Sequence, residues 1–174
     1  MFLAQPAQPV NTQSNGQHGE NLWGNGGKQE RELPHNIEAE QGLLGALLVN
    51  NRAFERVSEF LRSEHFFDPL HGEIYEVIGR AITAGSLATP VTLKTYFDGA
   101  DKIADDLTVH QYLGRLAASA TTFPASLDYA RTIRDLAVRR QLIVIAEELR
   151  ADAFDAPIDF PPNAQIEEAE ASLF

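Results

Sequence analysis

The sequence predicts an all-α fold: a compact helical bundle followed by a protruding antiparallel helical hairpin. Three observations carry this. From Asn36 onward apolar residues recur at helical spacing. Residues suited to helix caps stand at the start of most periodic segments, with Gly or Pro at several of the breaks. No run of four or more residues alternates apolar and polar positions between turns, as a half-buried strand would. The chain accordingly divides into a polar tail over 1–33, a globular helical bundle over 34–121 and a helical hairpin over 122–174.

The tail is rich in Gln, Asn, Gly and Pro and has no hydrophobic period, so it is expected to be disordered. Trp23 is its one large apolar residue. Pro34 closes the tail. Asn36 is placed to cap an amphipathic helix carrying Ile37, Leu44, Leu47 and Leu48, with Glu38 and Glu40 near the positive end of the helix dipole. Asn50-Asn51 is expected to cap a second helix with Phe54, Val57, Phe60 and Leu61. Ser63 to Pro69 connects, with Phe66 and Phe67 plugging the connection into the core. Ile74, Val77, Ile78, Ala81 and Ile82 form the next helix, which Gly85 ends. Thr89-Pro90 opens a short helix with Leu93, Tyr96 and Phe97. Thr108 caps another with Tyr112, Leu113, Leu116 and Ala117.

The segment from Ala125 to about Ala153 contains no Pro or Gly and reads as one long helix. Between Leu136 and Ala146 it is apolar nearly all round, so it requires more than one packing partner. Ala156-Pro157 and Pro161-Pro162 mark a rigid turn, and Asn163 is expected to cap a last helix with Ile166, Ala169 and Leu173. Surplus apolar faces on a hairpin predict self-association. The candidate interface is Ile133, Leu136, Arg139, Arg140, Leu142, Ile143, Ile145, Ile166 and Leu173.

Composition narrows the function. No apolar run approaches the roughly 18–20 residues that span a bilayer, and Met1 to Val10 lacks the basic and apolar regions of a secretory signal. There are no cysteines, hence no disulfide or thiolate site. A cytoplasmic location fits. The formal net charge is −11, from 14 Lys+Arg against 25 Asp+Glu. Phosphate neutralisation supplies most non-specific affinity for nucleic acid, so this balance favours protein partners over direct DNA binding, the main alternative reading.

No catalytic site emerges. The stretch from Gly24 to Gln29 has a phosphate-loop look around Lys28, but Leu22 stands at the first Gly position, Gln29 replaces Ser/Thr and no strand precedes it. Glu32 and His35 have the Glu-x-x-His spacing of di-iron bundles, with Pro34 between them interrupting the helix that chemistry needs. His65, His71 and His110 read as caps, surface groups or satisfied half-buried residues. Asp98, Asp101, Asp105 and Asp106 around Gly99 read as a solvated loop without EF-hand spacing. The arginines of the long helix alternate with Asp128, Asp135, Glu147 and Glu148 as on a paired surface, although Arg139-Arg140 suits an acidic partner. A helix-bundle enzyme is disfavoured because no polar constellation converges.

Several blocks together resemble the N-terminal domain of the DnaB-type replicative DNA helicases. They are Pro34 to Leu48 (PHNIEAEQGLLGALL), His65 to Tyr75 (HFFDPLHGEIY), Tyr129 to Leu142 (YARTIRDLAVRRQL) and Ala169 to Phe174. The stretch Gly99 to Leu107 departs from the glycine-rich turn of that family, and the polar tail lies outside its core. The resemblance implies an assembly domain without a catalytic, cofactor or metal site of its own. It also implies a hexameric 5′–3′ helicase whose RecA-like motor domain, with its ATP, Mg and DNA-binding elements, is absent from this chain. The implied partners are a second copy through the hairpin, a trimer of dimers in the ring, the primase, and a helicase loader. Brief proteolysis is expected to leave a resistant fragment beginning near Pro34, measured by mass spectrometry of the limit digest.

Overall fold

The computed structural model describes residues 31–97, 102–104, 107–120, 123–157 and 159–173. Residues 1–30, with Trp23 and Lys28, lie outside the described residues, as do Asp98, Gly99, Asp101, Asp105 and Asp106. The chain divides into two units at Glu32/Leu33, and all the elements belong to Leu33–Phe174. In order they are α1 (Ile37–Val49), α2 (Arg52–Ser58), a 3₁₀ turn (Ser63–His65), α3 (Pro69–Thr83), α4 (Pro90–Leu93) running into a second 3₁₀ turn (Lys94–Tyr96), β1 (Lys102–Ala104), β2 (Leu107–Thr108), α5 (Val109–Ala118), α6 (Phe123–Asp155) and α7 (Pro162–Leu173).

The helix starts follow cap chemistry. Asn36 accepts a hydrogen bond from the Ala39 N–H at 2.9 Å, and Asp68 accepts from Leu70 N–H at 2.9 Å beside Pro69 at the first helical position. Thr89 and Thr92 form a capping box, as do Thr108 and Gln111. Gly85 follows α3 with φ +77°, a left-handed conformation that lets the chain turn back so that Ser86 N–H reaches the Ala81 carbonyl. Three expectations change. Asn51 does not cap α2: its amide nitrogen donates to the Leu47 and Ala88 carbonyls and its oxygen accepts from Ala88 N–H, so it brackets α1 to the segment before α4. Pro162, not Asn163, opens α7. A two-stranded antiparallel ribbon, β1–β2, interrupts the helical series, pairing Lys102 with Thr108 and Ala104 with Leu107. It lies outside the core, and it is too short to show a period in the sequence.

The core is built around α1. Expected to be amphipathic, this helix instead lies among α2, α3, α5 and α6 and buries Ala39, Glu40, Leu43, Leu44, Ala46, Leu47 and Leu48. Leu43, Leu44 and Leu47 are fully buried with Leu61, Ile74, Ile78, Leu93, Leu113 and Ile133. Each such leucine contributes about 1.5–3 kcal/mol of transfer free energy. Phe66 and Phe97 complete the cluster. Tyr75 is buried between Phe54 and Phe66 and donates to the Leu61 carbonyl at 3.2 Å. Burial pushes its phenol up to about 12.

The approach of α5 to α1 depends on a missing side chain. A Cβ on Gly45 would fall onto the Leu116 backbone carbonyl and within 3.4 Å of Ala120 Cα. Backbone cannot rotate aside as a side chain does, so Gly45→Ala must push the helices apart. The variant is expected to lose about 1–3 kcal/mol, typical of overpacking, despite the better helix propensity of Ala. Its urea midpoint should fall relative to the parent chain.

Candidate interaction surface

A buried polar network locks α1, α3 and α5 together. Glu40 is 2% exposed and His71 fully buried. One Glu40 oxygen accepts from Phe67 N–H at 2.7 Å; the other accepts from Asp68 N–H at 3.3 Å and faces His71 Nδ1 at 2.7 Å. His71 Nε2 lies 2.6 Å from the Tyr112 hydroxyl, which also accepts from the Gln41 amide at 2.9 Å. With Gln41 donating to its oxygen, Tyr112 gives its own proton to His71 Nε2, and His71 Nδ1–H donates to the carboxylate. Every member has a partner, which a buried polar group requires. Burial pushes the Tyr112 phenol up, helped by the Asp68 and Glu40 carboxylates and opposed by the Gln41 bond. Glu40, expected near the positive end of the helix dipole, is also an internal acceptor. His71 is wholly rather than half buried.

The turn that Glu40 holds carries a second cluster, where α6 is fastened. Phe67 stacks on His35 with ring centroids 4.2 Å apart, and the Arg140 guanidinium lies 5.6 Å from the Phe67 centroid. Arg140 also donates to the Pro34 carbonyl at 2.9 Å and to the His65 carbonyl at 2.7 Å. One side chain of α6 therefore ties down both the entry to α1 and the turn before α3. His65 acts as the expected cap: its Nδ1 accepts from Arg62 N–H at 3.0 Å. Burial, and then the charges of Arg134, Arg62 and Arg140, hold its imidazole below the usual range against the pull of Glu64.

Beyond Arg140 the residues of the long helix are exposed except Ile145, which faces α7. The contact is a cleft of about 130 Å³ lined by Ile145, Glu148, Leu149, Asp152, Gln165, Glu168, Ala169 and Ser172. The candidate residues separate along this helix. Ile133 is 2% exposed within the bundle core; it is a core residue, not part of an open interface. Leu136 is half-buried. Arg140 is spent on the fastening just described. Ile145 is half-buried toward α7. Arg139, Leu142, Ile143, Ile166 and Leu173 are exposed. So are Val138, Val144, Leu149 and Phe154, the last at 77%. Phe154 lies past the expected end of the helix near Ala153; reading the helix to Asp155 would have included it.

Charge follows the same division. Residues 141–174 carry eight acidic groups, Glu147, Glu148, Asp152, Asp155, Asp159, Glu167, Glu168 and Glu170, against the single basic Arg150. The bundle end of α6 carries Arg131, Arg134, Arg139 and Arg140 against Asp128 and Asp135. Arg131 pairs with Asp128 at 3.1 Å. Arg131 and Arg134 share a polar cleft of about 320 Å³ with Arg56, Glu59, Phe60, Leu127 and Asp135 of the α2–α6 junction. Among the described residues no group of His, Asp or Glu is arranged to hold a metal ion, and no helix is long and apolar enough to cross a membrane.

Fold and surface define a helical domain that presents a hairpin with uncovered apolar residues. Comparison with known proteins names the class. Residues 32–135 match the family described as the DnaB-like helicase N terminal domain, and the chain belongs to that family. It is 42% identical over 144 residues to the replicative DNA helicase DnaB of Rickettsia felis and to that of Rickettsia bellii, an alignment covering 83% of this chain and 29% of each relative. The DnaB of Treponema pallidum is 25% identical over 141 residues. The chain thus spans under a third of the length of these curated relatives. The N-terminal domain of DnaB helicase from Mycobacterium tuberculosis has the same fold, with a TM-score of 0.70 and 23% identity, over 82% of this chain and 98% of that one.

Glu40→Ala would leave two backbone N–H groups and the His71 ring without their acceptor. Each buried donor left unpaired in this way costs about 1–3 kcal/mol, so the variant is expected to be clearly destabilised. Glu40→Gln keeps one acceptor oxygen and should lose less. Urea unfolding of the two variants beside the parent measures both.

Proposed function

We propose that this chain is the assembly and docking module of a replicative DNA helicase, acting through surface geometry and not through chemistry of its own. In this reading the parent protein is a hexameric ATP-dependent helicase whose motor domain supplies the ATP and Mg site and the contacts to DNA. The module sets how the subunits associate, first as hairpin-linked dimers and then as a trimer of dimers, and it recruits the primase to the ring. A helicase loader is a further partner, and the setting is the cytoplasm.

The observation that carries this reading is the exposure of Leu142, Ile143, Val144, Phe154, Ile166 and Leu173 along one hairpin. A chain with its leucine core closed elsewhere gains nothing internally from leaving these residues in water; burial against a second protein surface would stabilise a complex. Family membership supplies the identity of the partners. Direct DNA binding is the weaker alternative, because the exposed hairpin is the most acidic part of an acidic chain and would repel phosphate.

The structure separates two kinds of residue on the same helix, and a pair of variants tests the reading. Leu142→Asp puts a charge in the exposed apolar stretch. It should shift the light-scattering mass to monomer and weaken calorimetric binding of the primase's helicase-binding fragment, with helicity unchanged. Ile133→Asp buries a charge in the core and should unfold the chain. If Leu142→Asp leaves both the mass and the primase affinity at parent values, the hairpin is not the assembly and docking surface.

A further inference from the structure

Arg140 is held by neutral groups. Its acceptors are the Pro34 and His65 carbonyls, with the Phe67 ring against its guanidinium. Burial opposes its charge, and the Glu40 carboxylate favours it. The His65 side of this fastening depends on a proton. His65 and Arg62 close on each other: His65 N–H donates to the Arg62 carbonyl at 3.2 Å, and Arg62 N–H donates to His65 Nδ1 at 3.0 Å. A ring nitrogen that accepts carries no hydrogen, so the imidazole is neutral with its proton on Nε2. A second proton sets N–H against N–H and breaks this pair of bonds. The carbonyl that Arg140 takes belongs to the same residue.

The surroundings make the added charge costly. His65 has Glu64 and Arg62 on its own turn, and Arg134 and Arg140 face it from α6. Three guanidiniums thus stand against one exposed carboxylate. The third element at the turn, α3, packs on it through Gly72, where a Cβ would meet the Ser63 carbonyl. The titratable groups at that end of α3 are occupied elsewhere, Asp68 with Leu70 N–H and His71 with Glu40 and Tyr112. His35 is the other imidazole at the fastening. Its Nδ1 donates to the Leu33 carbonyl at 2.8 Å, a bond that a protonated ring keeps.

We infer that His65 is a proton-operated release for α6: taking up a proton opens the pair of bonds with Arg62, pushes the turn away from Arg140 and frees the outer part of the helix to change its angle on the bundle. Ala130 and Ile133 keep the inner turns of α6 buried in the core, so the movement lies beyond them, where the exposed apolar residues are. The sign follows from the neutral ring that the fastened state requires. Burial and the three arginines hold the imidazole below its ordinary range against the pull of Glu64. The stabilisation is complete above the ordinary value of about 6.5 and is lost as pH falls through that value and then through the lowered one.

The chain has no cysteine, so nitroxides can be attached at Glu73→Cys on α3 and Glu147→Cys on α6, both exposed positions. Dilution with unlabelled chain restricts the reading to distances within one copy. The distance distribution should be narrow at about pH 8 and should broaden reversibly by about pH 5. Its midpoint should follow the His65 ring signal in a magnetic-resonance titration of the parent chain. His65→Asn supplies an oxygen acceptor for Arg62 N–H that does not titrate, and it should stay narrow throughout. Arg140→Gln should be broad at both ends of the titration. Circular dichroism checks that helicity is unchanged in each case. A parent distribution that stays narrow while the His65 ring protonates overturns the inference. So does a ring still neutral at about pH 5, a His65→Asn variant that broadens at the parent midpoint, or an Arg140→Gln variant that stays narrow. The ring titration and the distances of the parent chain decide the matter even where a variant fails to fold.

Discussion

The Glu40 carboxylate is the point on which the arrangement of helices turns. It sits on the central helix, and its two oxygens take the backbone N–H groups of Phe67 and Asp68 and the ring of His71. That fixes the turn between the first 3₁₀ segment and α3. The same turn presents Phe67 and the His65 carbonyl to Arg140. The course of the long helix therefore depends on a charge buried some way from it: Glu40 places the turn, the turn places the guanidinium site, and the guanidinium fastens α6. An apolar group of equal volume could fill the space at Glu40, and buried ionic contacts add little net stability over such a replacement. It could not orient the loop backbone. The carboxylate contributes direction more than it contributes stability.

This division of labour explains why one helix behaves differently at its two ends. Up to Arg140, α6 is part of the bundle, with Ala130 and Ile133 buried alongside the leucines of α1. Past Arg140, among the described residues, α7 lies beside it, and a similar density of apolar residues is left in contact with water. The apolar content of the helix changes little between the halves. What changes is the number of neighbours available to cover it.

Much of this was legible in the sequence. Caps at Asn36, Thr89 and Thr108 and the glycine after α3 are local chemistry, so these element boundaries could be read one at a time. The long helix and its hairpin partner were visible because nothing between Ala125 and Ala153 breaks a helix. The depth at which each helix lies was not visible. The first helix, with Glu38, Glu40 and Gln41 in its opening turns, reads as amphipathic, yet it is the most buried. Periodicity reports how many apolar faces a helix has, not how many neighbours it finds. For the same reason Ile133 and Leu142 looked alike, although one is core and the other is open. Glu40 and His71 were missed as partners because they are 31 residues apart, and only the packing of α1 against α3 brings them together. The β1–β2 ribbon was missed because a few residues cannot establish a period.

The order of synthesis adds a constraint of a different kind. The helix that ends up most enclosed is made before every other described element, and the segment that covers its largest side comes almost a hundred residues later. Arg140 must reach back 106 positions to the Pro34 carbonyl. At translation rates of about 5–20 residues per second, the leucines of α1 wait several seconds before α6 exists to shelter them. Contacts so distant along the chain are also slow to form. The nascent chain thus passes through an interval in which its most apolar helix is uncovered, a state in which exposed hydrophobic surface invites aggregation.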